Sequence, residues 1–142
     1  MRLARIITAL TMGAPLFLPM ISAAQEHKID RGKQEYDTHC AVCHGLKGKG
    51  DGLYAGFGSQ FVANLTTLTK RNKGVFPFAR VYESIDGTEL VKAHGPRDMP
   101  IWGSDYRGRA GEYYLDVPYD PDVYARARIL ALTEYVYRLQ EK

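Results

Sequence analysis

The chain has 142 residues, one domain's worth, with 19 Lys+Arg against 16 Asp+Glu and a formal net charge of +3. So small an excess argues for no nucleic acid and no anionic membrane as partner, and two cysteines only three positions apart exclude a disulfide framework.

The first element is a leader. Arg2 and Arg5 precede residues 6–20, which carry no charge, and Ser22-Ala23-Ala24 supplies the small-x-small pattern of a signal peptidase site. The apolar run of 15 residues is short of the roughly 20 that span a bilayer and contains Pro15 and Pro19, so cleavage between Ala24 and Gln25 is expected instead of a membrane anchor. Residues 1–24 are thus a signal peptide and 25–142 the mature domain, exported to the periplasm with no stable membrane insertion. Removing 24 of 142 residues leaves 118. Arg2 and Arg5 go with the leader, so 17 basic residues face 16 acidic ones, a net of +1.

Asp30 reads as the cap of a helix over about 31–42. Residues 45–58 form a glycine-punctuated loop, and Gly48-x-Gly50-x-Gly52 lacks the ending of a phosphate loop. Pro77 opens a short helix whose Phe78, Val81, Tyr82 and Ile85 recur at helical spacing, and Gly87 closes it. Residues 92–118 read as loop. Asp120-Pro121 then opens the last helix, with Val123, Ala127, Leu130, Ala131, Tyr135, Val136 and Leu139 as its apolar stripe. The fold class is all-α, with loops long enough to need a large ligand to wrap around.

Cys40-Ala41-Val42-Cys43-His44 supplies the reason for that ligand. On a helix the residues at i, i+3 and i+4 share one face, so two thiols and an imidazole reach one flat group: a haem held through two thioethers, with His44 under the iron. A zinc site needs a second Cys/His pair, and only His27, His39 and His94 remain beyond the motif in the mature chain. A thioredoxin-like redox pair needs strand–helix alternation, of which there is none in the pattern. For the second axial ligand, Met99 is the one methionine outside the leader and is followed by the stiffening Pro100. His94 is its rival, and plain core packing is the other fate open to Met99.

At these residues the chain resembles the class I c-type cytochromes, over nearly all of 29–142. Gly32 and Tyr36 stand where the family has a glycine and an aromatic on its first helix. Leu132 and Tyr135 match its terminal-helix pair, Met99-Pro100 its Met-Pro, and Gly45 the glycine after the histidine. The resemblance implies crossing N- and C-terminal helices with long loops around one covalently bound haem c. It places Cys40 and Cys43 as thioether anchors and His44 and Met99 as axial ligands. Trp102 resembles the family's aromatic near a haem propionate, although plain burial serves it equally well. Two departures stand out. Residues 61–64 replace a proline segment, leaving the imidazole's orienting contact unassigned, and 104–119 is longer and richer in tyrosine, either a partner surface or a loop on the haem edge. Lys47, Lys49, Lys70, Arg71 and Lys73 form a basic face suited to an acidic redox partner, or merely to solvent.

The implied role is a single-electron carrier between redox-protein donor and acceptor, with no catalytic residues of its own. The alternatives are a cytochrome subunit fixed to a dehydrogenase or reductase and, against the early position of the motif, a five-coordinate haem ligand sensor.

Overall fold

The computed structural model describes residues 29–56, 62–88, 99–115 and 118–141. The leader with its cleavage point, His94 and Phe61 lie outside the described residues. Those described are helical, without a strand: α1 (Arg31–His39), α2 (Ala41–His44), α3 (Leu68–Arg71), α4 (Phe78–Asp86), α5 (Trp102–Tyr113) and α6 (Pro121–Arg138). None of these helices is long and apolar enough to cross a membrane.

Both ends of the fold start where the sequence punctuates them. The Asp30 carboxylate accepts from Lys33 N at 3.0 Å, and Asp120 accepts from Asp122 N at 2.8 Å. Asp30 also takes Arg138 Nη2 at 2.6 Å, which fastens the start of α1 to the end of α6. Gly32, Glu35 and Tyr36 form the buried face of α1. A side chain at Gly32 would put its Cβ 2.1 Å from the Ala131 carbonyl oxygen and 3.0 Å from Tyr135 Cβ, so α6 lies against the α1 backbone there.

The helix expected over 31–42 is interrupted at Cys40 (φ −107°) and resumes as α2, ending two residues later than expected. Cys43 N and His44 N both bond the Cys40 carbonyl, at 3.1 and 2.9 Å, so the turn tightens at the motif. α4 and its Gly87 cap fall where expected.

Residues 92–118 are not loop throughout, because 102–113 fold as α5. Gly103, Gly108 and Gly111 give this segment poor helix propensity, and packing overrides it. Gly103, Tyr106 and Ala110 form a buried face against α6 and α4. Glycine is required at 103, where a Cβ would stand 2.0 Å from an Asp86 carboxylate oxygen. Arg107 completes the junction, reaching Asp86 at 3.2 Å and Asp122 at 2.6 Å.

The apolar stripe of α6 is phased differently from expectation. Ala125, Ile129, Leu132, Thr133, Tyr135 and Val136 are buried, whereas Val123 and Leu130 are exposed. α6 packs on α1, α4 and α5, so its covered arc is set by three neighbours. It even includes Thr133, whose hydroxyl donates back to Ile129 O at 2.8 Å and needs no outside partner.

Candidate functional site

The tight turn at Cys40 sets α2 and its following loop in place. Gly50 N bonds His44 O at 2.8 Å, Gly52 N bonds Cys43 O at 3.1 Å and Tyr54 N bonds Val42 O at 2.9 Å, so the loop satisfies the carbonyls at the end of α2. Tyr36 donates its buried hydroxyl to Gly45 O at 2.7 Å, tying α1 to the turn after His44. Leu65 N reaches Gly48 O at 2.7 Å, bringing residues 62–65 alongside. The end of α6 fixes that strip from the other side, with Gln140 Nε2 on Leu65 O at 2.7 Å and Glu141 N on Thr66 O at 2.9 Å.

These elements enclose a cavity of about 470 Å³, within the range typical of cofactor sites. Cys40, His44 and Met99 all line it, together with apolar Leu68, Val81 and Leu132. Cys43, the fourth predicted site residue, is half-buried on α2 and is not among the lining residues. Trp102 does not line it either. Its ring lies 4.7 Å from that of His39, against the main core cluster.

The orienting contact that the sequence leaves unassigned is a backbone carbonyl. His44 Nδ1 lies 3.0 Å from Ala63 O, and a carbonyl can only accept, so Nδ1 carries the proton and Nε2 keeps its lone pair. Burial holds the His44 imidazole below its ordinary pKa, against the opposing pull of the Ala63 bond, and so favours the neutral, ligating form. No side chain marks this role, so only the proximity of residues 62–64 to the motif in the fold reveals it.

Burial pushes the Cys40 thiol up to about 12, with Glu35 and Cys43 adding to the shift. A thioredoxin-like pair uses a depressed thiol, so this environment opposes that alternative. Among the described residues no group of three or more His, Cys, Asp or Glu side chains converges to hold a metal ion. Two lining residues do not stand out as site residues in the sequence. Arg71 and Arg80 line an otherwise mostly apolar wall, and the Arg71 guanidinium donates to Asn64 O at 2.7 Å. Their signal is the absence of any acid between residues 62 and 82.

Tyr36 also predicts how stability responds to pH. Burial raises the phenol pKa of both Tyr36 and Tyr106 above the ordinary 10.0. The unfolded chain therefore ionises first, and stability is constant below about pH 10 and falls above it, by up to ~1.4 kcal/mol per pH unit for each tyrosine. Urea midpoints at about pH 8 and about pH 11 are the check. Tyr36→Phe removes its share of the alkaline loss and costs about 1–3 kcal/mol at neutral pH, because Gly45 O is left unpaired.

A family model described as Cytochrome c matches residues 29–100, half of the chain, from the start of α1 to Met99-Pro100. Comparison with curated proteins and with solved structures gives no match.

Proposed function

Because the chain belongs to the cytochrome c family and is an electron-transfer haem protein, we propose that it is a monohaem class I carrier of single electrons. It would work in the periplasm after cleavage near Ala24, between a redox-protein donor and a redox-protein acceptor. One observation carries the reading: a largely apolar cavity into which the fold brings Cys40, His44 and Met99 together.

The residues present fit one haem c. Cys40 and Cys43 would hold it through thioethers, and His44 Nε2 and Met99 Sδ would ligate its iron. When bound, the group supplies a one-electron ferric–ferrous couple, and methionine ligation raises its potential. The Ala63 carbonyl fixes the His44 tautomer and ring, which would leave Nε2 free to ligate. Leu68, Val81 and Leu132 exclude water from the cavity wall. Arg71 and Arg80 offer charge to the two carboxylates of such a ligand. Met99, on the wall of the same cavity, would close the iron to exogenous ligands. The exposed Lys47, Lys49, Lys70 and Lys73 suit a brief encounter with an acidic partner, steered by charge.

The test is the mass of the mature protein, made with c-type maturation machinery and measured under denaturing conditions. One haem is expected to remain on the polypeptide. The double variant Cys40→Ser/Cys43→Ser is expected to release all of it. A native protein that sheds its haem on denaturation contradicts covalent attachment at this pair.

A further inference from the structure

The tyrosine-rich stretch that the electron-carrier reading leaves unused belongs to a connected set of aromatic side chains. Trp102 and Tyr106 of α5 pack in the same core cluster as Cys40 and Met99, their ring centroids 6.3 Å apart. Tyr106 is 2 % exposed and donates to Glu35 Oε2 at 3.0 Å. Glu35, itself buried, pairs with Arg128, and Arg128 Nη2 donates to Tyr124 Oη at 2.9 Å. Arg128 lies over the Tyr124 ring at 4.8 Å and over that of Tyr113 at 5.8 Å. Tyr124 and Tyr113 are 5.4 Å apart, Tyr113 and Tyr114 4.8 Å, and Tyr114 stacks on Tyr119 at 5.9 Å. Tyr113 is 59 % exposed and Tyr119 44 %. Oxidisable rings therefore run from the core cluster to the surface. The one break, between Tyr106 and Tyr124, is bridged by hydrogen bonds through Glu35 and Arg128.

We propose that Trp102, Tyr106, Tyr124 and Tyr113 form a relay moving single electrons inward from the surface, so that oxidising equivalents reaching Trp102 in the core cluster are discharged at Tyr113 and Tyr119. The inference rests on the redox function proposed for the cavity and adds a second electron route through α5 and α6, elements that lie beyond the family match.

The chemistry balances as follows. A radical one-electron oxidant takes an electron from the Trp102 indole and is reduced. Tyr106 returns that electron to Trp102, and its phenolic proton passes to Glu35 Oε2. Tyr124 then reduces the Tyr106 radical, which recovers the proton from Glu35, while the Tyr124 proton leaves to water. Tyr113 restores Tyr124 in the same way, with a proton from water. A soluble one-electron reductant of the thiol or phenol class refills Tyr113 at the surface. One electron passes from reductant to oxidant, and no heavy-atom bond is made or broken. Without the relay the charge deficit stays in the core cluster against which Met99 also packs, and a thioether is readily oxidised.

Pulse radiolysis tests the relay on the oxidised protein, because azide radicals attack tryptophan preferentially and the chain holds one Trp. The tryptophanyl absorbance is expected to convert to tyrosyl absorbance in a first-order step independent of protein concentration. A nitroxide spin trap followed by peptide mapping is expected to find adducts on Tyr113 or Tyr119. Tyr106 is buried and Tyr106→Phe disturbs Glu35, so the half-buried Tyr124 is the deciding position. Tyr124→Phe is expected to keep the first conversion and to lose the surface adducts. A conversion rate proportional to protein concentration, or adducts unchanged in Tyr124→Phe, overturns the relay. The readout lies on aromatic side chains alone, so it separates the relay from the covalent-haem test: a protein that fails that test still shows the surface adducts or lacks them.

Discussion

Gly32→Ala is expected to lower stability by at least ~3 kcal/mol, a fall of roughly 10 °C in Tm for a domain of this size. The obstacle is backbone, not a side chain that can swing away, because the new Cβ would stand 2.1 Å from the Ala131 carbonyl oxygen. α1 and α6 would have to part along a contact that also buries Tyr36, Leu132 and Tyr135. Alanine normally raises helix propensity over glycine by about 1 kcal/mol, so an exposed glycine in a helix gives the opposite sign. Gly108, whose side-chain direction meets open space, is the internal control. Gly108→Ala is expected to leave Tm unchanged or raise it. Thermal unfolding of both variants, followed by circular dichroism, is the measurement.

If Met99 ligates the iron, Met99→Ala is expected to open it to exogenous ligands. Met99 is half-buried against the core and lines the cavity, so its truncation costs about 1–2 kcal/mol of stability, well short of unfolding the chain. The functional effect is larger. With no thioether to displace, carbon monoxide affinity of the reduced protein is expected to rise by at least about tenfold, and the reduction potential to fall. Titration with carbon monoxide, followed in the visible spectrum, reads the first effect, and a redox titration reads the second. Unchanged spectra and potential in this variant would remove Met99 from the axial position.

The parts of the molecule legible in the sequence are those written locally. Asp30, Asp120-Pro121 and Gly87 mark helix ends through contacts within a few residues of themselves, and the structure places them as caps. The spacing of Cys40, Cys43 and His44 is equally local. What is illegible depends on residues far apart in sequence. α5 carries three glycines and a weak apolar pattern, and it is helical because Tyr106 and Ala110 are buried against α6 and α4. The covered face of α6 answers to three helices, so it shares Tyr135 and Val136 with the most apolar stripe but leaves that stripe's Val123 and Leu130 exposed. The partner of His44 is a main-chain oxygen at Ala63, to which no side-chain pattern can point. Glu35 and Arg128 pair across 93 positions, and neither stands out as a core residue until α1 and α6 are packed together.

If His44 and Met99 close both axial positions of one covalently held haem, the iron offers no site to an added ligand. Addition of carbon monoxide to the reduced, mature protein tests this most directly. An unchanged reduced spectrum is expected, and in the oxidised protein the weak long-wavelength band of sulfur bound to iron. Ready conversion to a carbon monoxide complex would contradict it, showing the sixth position open and making ligand sensing, not electron carriage, the function of the cavity.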